Sequence, residues 1–190
     1  HLTGSEAGKV RLYPSQKDFA KVSGYKTTPY ICIAPASLWY TKQFPKEKWV
    51  ELLEQLPSQY AVYLLGGKDD RELCEFIISN SGRANCLNLA GELKLLETAA
   101  LMKHSRMNYV NDSAPMHLAS AVDAPVAAIF CSTVPGFGFG PLSEKSFIIE
   151  TKKALTCRPC GLHGHKSCPE NHFKCAQTIN IEQLLKVLNI

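Results

Sequence analysis

No apolar run in the 190 residues approaches the roughly 20 needed to span a bilayer as a helix. There is no Gly-x-Gly-x-x-Gly fingerprint and no Gly-x-x-x-x-Gly-Lys phosphate loop, so neither hydride transfer nor ATP-driven phosphoryl transfer is indicated. Asp-x-Asp, a pattern suggesting a divalent cation, is missing. The basic residues are scattered and do not alternate with aromatics, which argues against a stacking platform for single-stranded nucleic acid. Internal repeats and low-complexity tracts are also lacking. The chain opens at His1 with neither Met nor a signal-peptide pattern, and reads as part of a longer polypeptide.

What is present is an ordinary globular composition, enough for one good core and one domain with room for an appendage. The net charge of +4 suits an anionic ligand or a membrane edge without demanding either. Of the eight cysteines, Cys32, Cys74, Cys86 and Cys131 sit among apolar residues and read as buried thiols. Cys157, Cys160, Cys168 and Cys175 crowd one tail segment, with His163, His165 and His172 between them. Cys157-x-x-Cys160 has zinc-ligand spacing, but the later pair is looser. The pattern fits zinc thiolates, disulfides and reduced structural thiols alike.

Along the chain, strand-like and helix-like segments alternate. Residues 1–28 read as an incoming linker or interdomain segment, with a short helix starting near Pro14–Asp18. Tyr30–Ala34 is a buried-strand run. Pro45 opens a helix in which Trp49, Leu52, Leu53 and Leu56 share one face. Tyr60–Leu65 is a second strand, closed by Gly66-Gly67. Asp69-Asp70 then starts a helix with Leu73, Phe76 and Ile77 on one side. Cys86–Leu89 is a short strand, followed by a helix from Leu95 to His104 that groups Leu95, Ala99 and Met102. Strands at Met107–Val110, Pro125–Phe130 and Ser146–Ile149 follow. A closing helix over 180–189 carries Ile181, Leu184, Leu185 and Leu188 as a stripe behind an Asn180 cap. Short strand–helix alternation implies right-handed crossovers and a Rossmann-like parallel sheet with helices on both faces. Ligands in such sheets bind beyond the carboxyl ends of the strands. Four loops meet that description: 35–44, 66–70, 111–117 and 131–141. The last, with three glycines and two prolines, reads either as a mobile loop over a pocket or as ordinary turn chemistry.

The segment Asn111-Asp112-Ser113-Ala114-Pro115-Met116-His117 is the centre of this pattern. Ser113 is an N-cap candidate, its hydroxyl accepting from the Met116 N–H. Pro115 is tolerated in a first turn. The free N–H groups and the helix dipole favour an anion there, and His117, leaning back toward the N-terminus, points at it. A capped helix start with a packing histidine is the plainer alternative. Lys42 is either a point charge for a diphosphate or a solvated lysine. Asp69 or Asp70 is either an acceptor from a ribose hydroxyl or a helix-start carboxylate.

Taken together, Ala34-Pro35-Ala36-Ser37, Lys42-x-Phe44-Pro45, Leu65-Gly66-Gly67, Asn111-Asp112-Ser113-x-x-x-His117-Leu118-Ala119-x-Ala121 and Pro125 resemble, in order, the C-terminal half of the ADP-heptose:lipopolysaccharide heptosyltransferases. These form glycosyltransferase family 9, with the two-domain GT-B fold. The resemblance covers roughly residues 30–190. It implies that residues 29–190, with the Cys-rich tail 157–176 and the helix 180–189, form a donor-binding domain. It implies phosphate contacts from Lys42, a ribose contact from Asp69 or Asp70, and an adenine contact near Leu93. Asp112, Ser113, Ala114 and His117 would hold the diphosphate and sugar, with Ser37 in the same donor set, and Lys42, Asp112 and His117 would take part in catalysis.

The implied reaction is inverting, metal-independent heptose transfer from a nucleotide-sugar, most simply ADP-heptose, to a lipopolysaccharide inner-core acceptor, without nucleic acid as a partner. The acceptor site and the acidic base belong to an N-terminal half missing from this chain. The implied location is cytoplasmic, with a peripheral place at the inner membrane as one option. There the tail thiols would stay reduced. The family usually has Gly at the position of Ala114 and often Trp at that of Phe44. The alternatives are a noncatalytic nucleotide-sugar-binding or assembly module that needs a partner chain, and a zinc-dependent nucleic-acid binder.

Overall fold

The computed structural model describes residues 10–189. The first nine residues of the expected linker lie outside them. Its frame is six short strands: β1 Tyr30–Ala34, β2 Ala61–Leu64, β3 Cys86–Asn88, β4 Asn108–Asn111, β5 Val126–Phe130 and β6 Ser146–Glu150. All neighbouring pairs are parallel, in the spatial order β3-β2-β1-β4-β5-β6. This is the Rossmann-type order, which reverses between β1 and β4 and leaves a crevice at their carboxyl ends. Ile33 stands opposite both Leu64 and Tyr109, so the three central strands finish nearly level and their following loops meet.

Strand periodicity of two splits the core. Ile31, Ile33, Val62, Leu64, Tyr109, Ala127 and Ile129 face one side. There they meet α2 (Lys46–Gln55), α3 (Arg71–Ser81) and the closing α7 (Ile181–Leu188) through Trp49, Leu52, Leu53, Ile77 and Leu184. Cys32, Ala34, Tyr63, Val110, Val126, Ala128 and Phe130 face the other. That side is covered by α1 (Gln16–Lys21), α4 (Leu95–Met102) and α5 (Ala114–Ala121), largely through alanines such as Ala99, Ala100 and Ala119. The small residues let these helices approach the sheet closely.

The Trp49, Leu52, Leu53 and Leu56 face is buried as its spacing predicts. Asn180 does cap α7, accepting from the Glu182 N–H at 3.1 Å, but Val187 rather than Leu185 completes the most buried face. In α3 the fully buried positions are Cys74 and Ile77, with Leu73 and Phe76 flanking them. Leu95 does not join Ala99 and Met102 in the core: it is the first residue of α4 and is 61% exposed. α2 ends against a residue from the connection between α3 and β3. The Arg83 guanidinium donates to the carbonyls of Leu53, Leu56, Pro57 and Tyr60 at 2.6–3.0 Å, satisfying acceptors that a helix end leaves open.

The helix expected near Pro14–Asp18 is α1. Ser15 and Asp18 form its capping box, the Ser15 N–H donating to the Asp18 carboxylate at 2.6 Å. The Leu12 N–H reaches the Ala121 carbonyl, and Leu12, Phe19 and Tyr25 pack against the core. Residues 10–28 are thus laid onto the α4–α5 face. Among the described residues no helix is long and apolar enough to cross a membrane.

Candidate functional site

A cleft of about 770 Å³ opens where the strand order reverses. Its floor and walls come from the loops after β1, β2 and β4 and from the start of α4. Of the predicted site residues it brings together Ser37, Lys42, Asp69, Asp70, Leu93, Asp112, Ser113 and Ala114. His117 is not among its lining.

Asn111, at the last position of β4 and fully buried, fixes the geometry. Its Oδ1 accepts from the Phe44 N–H at 3.0 Å and its Nδ2 donates to the Pro35 carbonyl at 2.7 Å. One side chain therefore clips both ends of the 35–44 loop to the strand before α5. Within that loop Gln43 donates to the Ser37 carbonyl at 2.6 Å. The loop presents Lys42 to the next residue, Asp112, and their Nζ–Oδ2 distance is 2.8 Å. Asp112 also accepts from Thr133 Oγ1 at 2.6 Å. Both side chains of the ion pair are largely shielded, at 16% and 8% exposure. Lys42 is therefore not a bare cation. It is an oriented ammonium that spends one of three N–H donors on Asp112 and keeps two for a ligand.

α5 begins beside this pair. Ser113 holds the N-cap position, but its hydroxyl does not cap the helix. The Met116 N–H is taken by the Ser113 backbone carbonyl at 3.0 Å, and the hydroxyl turns back to the Asn111 carbonyl at 3.4 Å. Since Pro115 has no N–H, the donors left over are those of Ser113 and Ala114, which have no partner among the described residues. Two backbone donors, a helix dipole and an ammonium thus converge on one spot.

Asp69 and Asp70 diverge. Asp70 accepts from the Gly67 N–H at 2.8 Å and holds the turn after β2. A Cβ on Gly66 would lie 2.7 Å from the Asp70 Cβ and Oδ2, so only glycine fits there. Asp69 is exposed on the cleft rim, with its carboxylate open to a ligand. Leu93, Leu95, Leu65 and Leu118 give the far part of the cleft an apolar lining. This explains why Leu95 left the core.

His117 lies one residue beyond the buried Met116, on the exposed side of α5. It faces a neighbouring cavity of about 360 Å³, which shares Lys42, Asp112, Ser113 and Ala114 with the cleft. The 131–141 loop helps build that cavity. Ser132 and Thr133 are buried and pinned to Thr41 and Asp112, while Val134, Phe137 and Phe139 form a wall.

The cysteine tail packs behind this loop. Arg158 donates to the carbonyls of Cys131, Phe130 and Thr133 and to Glu150 at 2.7–3.2 Å. All eight cysteines are free thiols. Among the described residues no three His, Cys, Asp or Glu side chains are placed to share a metal ion. Burial, reinforced by the neighbouring Cys168 and Cys157, pushes the Cys175 thiol up to about 11, and burial raises Cys131 well above the ordinary range.

Sequence reasoning did not assign roles to Asn111, Thr133 or Arg158. For Asn111 the signal was present, as a polar residue directly after a buried strand. For the other two there was none, because their partners are remote in the chain.

The doubly wound sheet with its cleft at the switch point places the chain in the Rossmann-type class of α/β domains. The family follows from comparison. The model of glycosyltransferase family 9 (heptosyltransferase) matches residues 6–172, and the chain belongs to that family. It is 36% identical over 126 residues to lipooligosaccharide heptosyltransferase 2 of Haemophilus influenzae, covering 64% of this chain and 36% of the relative. Over 126 residues it is 34% identical to lipopolysaccharide heptosyltransferase 2 of Salmonella typhimurium, with the same coverage. Among solved structures, Escherichia coli ADP-heptose lps heptosyltransferase II superposes with a TM-score of 0.69 at 26% identity, over 94% of this chain and 53% of that one. The chain spans about a third of the length of these curated relatives and about half of the solved one.

Proposed function

We propose that this chain is the donor-binding half of an inverting heptosyltransferase, which holds a nucleotide-sugar of the ADP-heptose type for transfer to a lipopolysaccharide inner-core acceptor. The observation that carries the reading is the convergence of Lys42, the Ser113 and Ala114 N–H groups and an apolar, Asp69-rimmed cleft at one switch point. In this reading the diphosphate lies against Lys42 and the start of α5. The ribose hydroxyls donate to Asp69, whose carboxylate is open on the rim, while Asp70 already accepts from the Gly67 N–H. Adenine occupies the slot by Leu93 and Leu95. Ala114 adds one methyl beside the phosphate without removing its N–H donor.

As the glycosidic bond to the donor breaks, negative charge grows on the leaving diphosphate. A preoriented ammonium and two backbone donors stabilise it more in the transition state than in the ground state. Asp112 and Thr133 fix the ammonium rather than touching the ligand. The group that deprotonates the acceptor hydroxyl must come within about 3 Å of that proton. In this reading it is supplied by an acceptor-binding domain outside these residues, and His117 faces the sugar instead. The work is done without a cofactor, and the tail cysteines act as a reduced structural cap.

Calorimetry with ADP, UDP and single-stranded DNA tests the reading. An ADP isotherm, weaker UDP binding and no DNA binding are expected, with no sugar transfer until an acceptor domain is added, linked or in trans. Binding of DNA in preference to ADP, or transfer by the 190 residues alone, would contradict it.

A further inference from the structure

The cavity beside the cleft is walled in part by the cysteine-rich tail, which supplies Leu162 and His163. We propose that this tail is part of the donor site and that Leu162 and His163 form the wall against the sugar of the nucleotide-sugar. The inference rests on the donor-binding reading above and extends it to the tail segment, treated there only as a structural cap.

Three observations support it. First, the Lys42–Asp112 pair and the start of α5 line both hollows and so form a partition between them. A diphosphate is the linker between nucleoside and sugar. If it sits on the partition, the nucleoside fills one hollow and the sugar the other. The larger hollow has the leucine slot and Asp69. The smaller has Phe137, Phe139 and Leu162 for the C–H faces of a sugar ring, and His117 and His163 for its hydroxyls.

Second, the segment carrying Leu162 and His163 is tied down on both sides. Before it, the Cys160 N–H donates to the Ser132 carbonyl at 2.8 Å. After it, His165 and Thr41 exchange two bonds, Thr41 N–H to the His165 carbonyl at 3.1 Å and His165 N–H to Thr41 Oγ1 at 2.7 Å. Ser132 and Thr41 are the immediate neighbours of Thr133 and Lys42, the two residues that grip Asp112. The loop is thus anchored to the backbone that positions the partition itself.

Third, the loop touches Lys42. Gly164 has φ +79°, and a Cβ there would lie 2.9 Å from Thr41 Oγ1 and 3.0 Å from Lys42 Cγ. Only a residue without a side chain lets the tail close this tightly over the lysine stem.

The test is calorimetry on the full 190-residue chain with two probes, ADP and ADP-heptose, for the unmodified protein and for His163→Ala, Leu162→Ala and Gly164→Ala. Loss of the His163 or Leu162 side chain is expected to leave ADP affinity within about twofold and to weaken ADP-heptose by about five- to tenfold, the range of one neutral hydrogen bond or one apolar contact. Both side chains are exposed, so the fold is retained. Gly164→Ala is expected to weaken both ligands together, because it displaces Lys42. Parallel losses for ADP and ADP-heptose in His163→Ala and Leu162→Ala, or no loss in either, would overturn the sugar-wall assignment while leaving the donor reading intact. Full affinity for both ligands in Gly164→Ala would overturn the coupling of the tail to Lys42. Failure of the unmodified chain to bind either probe would overturn both readings.

Discussion

Replacing Lys42 by alanine does two things that the structure separates. It removes a charged donor to the diphosphate, worth about 1.5–3 kcal/mol or roughly a 10- to 150-fold loss of affinity. It also unmasks Asp112. In the intact protein the carboxylate is neutralised by Lys42 at 2.8 Å and shielded to 8% exposure. In Lys42→Ala it keeps only the Thr133 hydroxyl and faces the incoming phosphate as a like charge. For a phosphate about 5 Å from the carboxylate and an effective dielectric of about 20, that repulsion is about 3 kcal/mol. The single substitution therefore loses about 4–6 kcal/mol, enough to abolish a measurable ADP isotherm. Adding Asp112→Asn removes the repulsion but not the lost donor, so the double variant should bind ADP about 100-fold more tightly than the single one. Calorimetry at 25 °C, with circular dichroism to confirm folding, reads both. The reasoning fails if Asp112→Asn gives no recovery in the Lys42→Ala background, or if Lys42→Ala binds ADP as the unmodified protein does.

Arg83→Ala should destabilise the fold without touching the cleft: the Leu53 and Leu56 carbonyls lose the guanidinium as donor, while those of Pro57 and Tyr60 keep the Tyr60 N–H and Asn85, for about 2–4 kcal/mol, visible as a fall of about 5–15 °C in the melting temperature. Partial burial, then the nearby cations Lys26 and Lys103, holds the His104 pKa below 6.5. Its contribution to stability is therefore full above the unfolded-state value and is lost as pH falls through the folded one. Replacing His104 with Asn should flatten the melting temperature between about pH 7.5 and about pH 5, and an unchanged pH profile would refute the assignment. On the reading of the tail as a reduced thiol cap, elemental analysis of protein purified without chelator should find no stoichiometric zinc, and one zinc per chain would overturn it.

The strands were legible because each is a short apolar run ended by a turn residue, and their alternation with amphipathic segments was enough to imply a parallel sheet. The four site loops followed from that alternation alone. What sequence spacing cannot carry is pairing between remote residues. Lys42 reads in isolation as a solvated lysine, because its partner Asp112 lies on another loop. Thr133 and Arg158 are ordinary polar residues until β5 brings them beside the site. Helical spacing groups Leu95 with Ala99 and Met102, but periodicity does not show that the first residue of α4 opens onto the cleft. Ser113 occupies its expected position, yet its hydroxyl bonds backward to Asn111, a local competition that the N-cap preference does not resolve. His117, expected to point at an anion at the head of α5, lines the neighbouring cavity together with Lys42, Asp112, Ser113 and Ala114, the residues at that helix start.

The central claim is that one nucleotide-sugar spans the two hollows with its diphosphate on the Lys42–Asp112 partition. A crystal structure of the chain soaked with ADP tests it most directly. The account predicts the diphosphate within hydrogen-bond reach of Lys42 Nζ and the Ala114 N–H, a ribose hydroxyl on Asp69 and adenine against Leu93. Adenine in the cavity beside His117 and His163, or a diphosphate held away from Lys42, would contradict it.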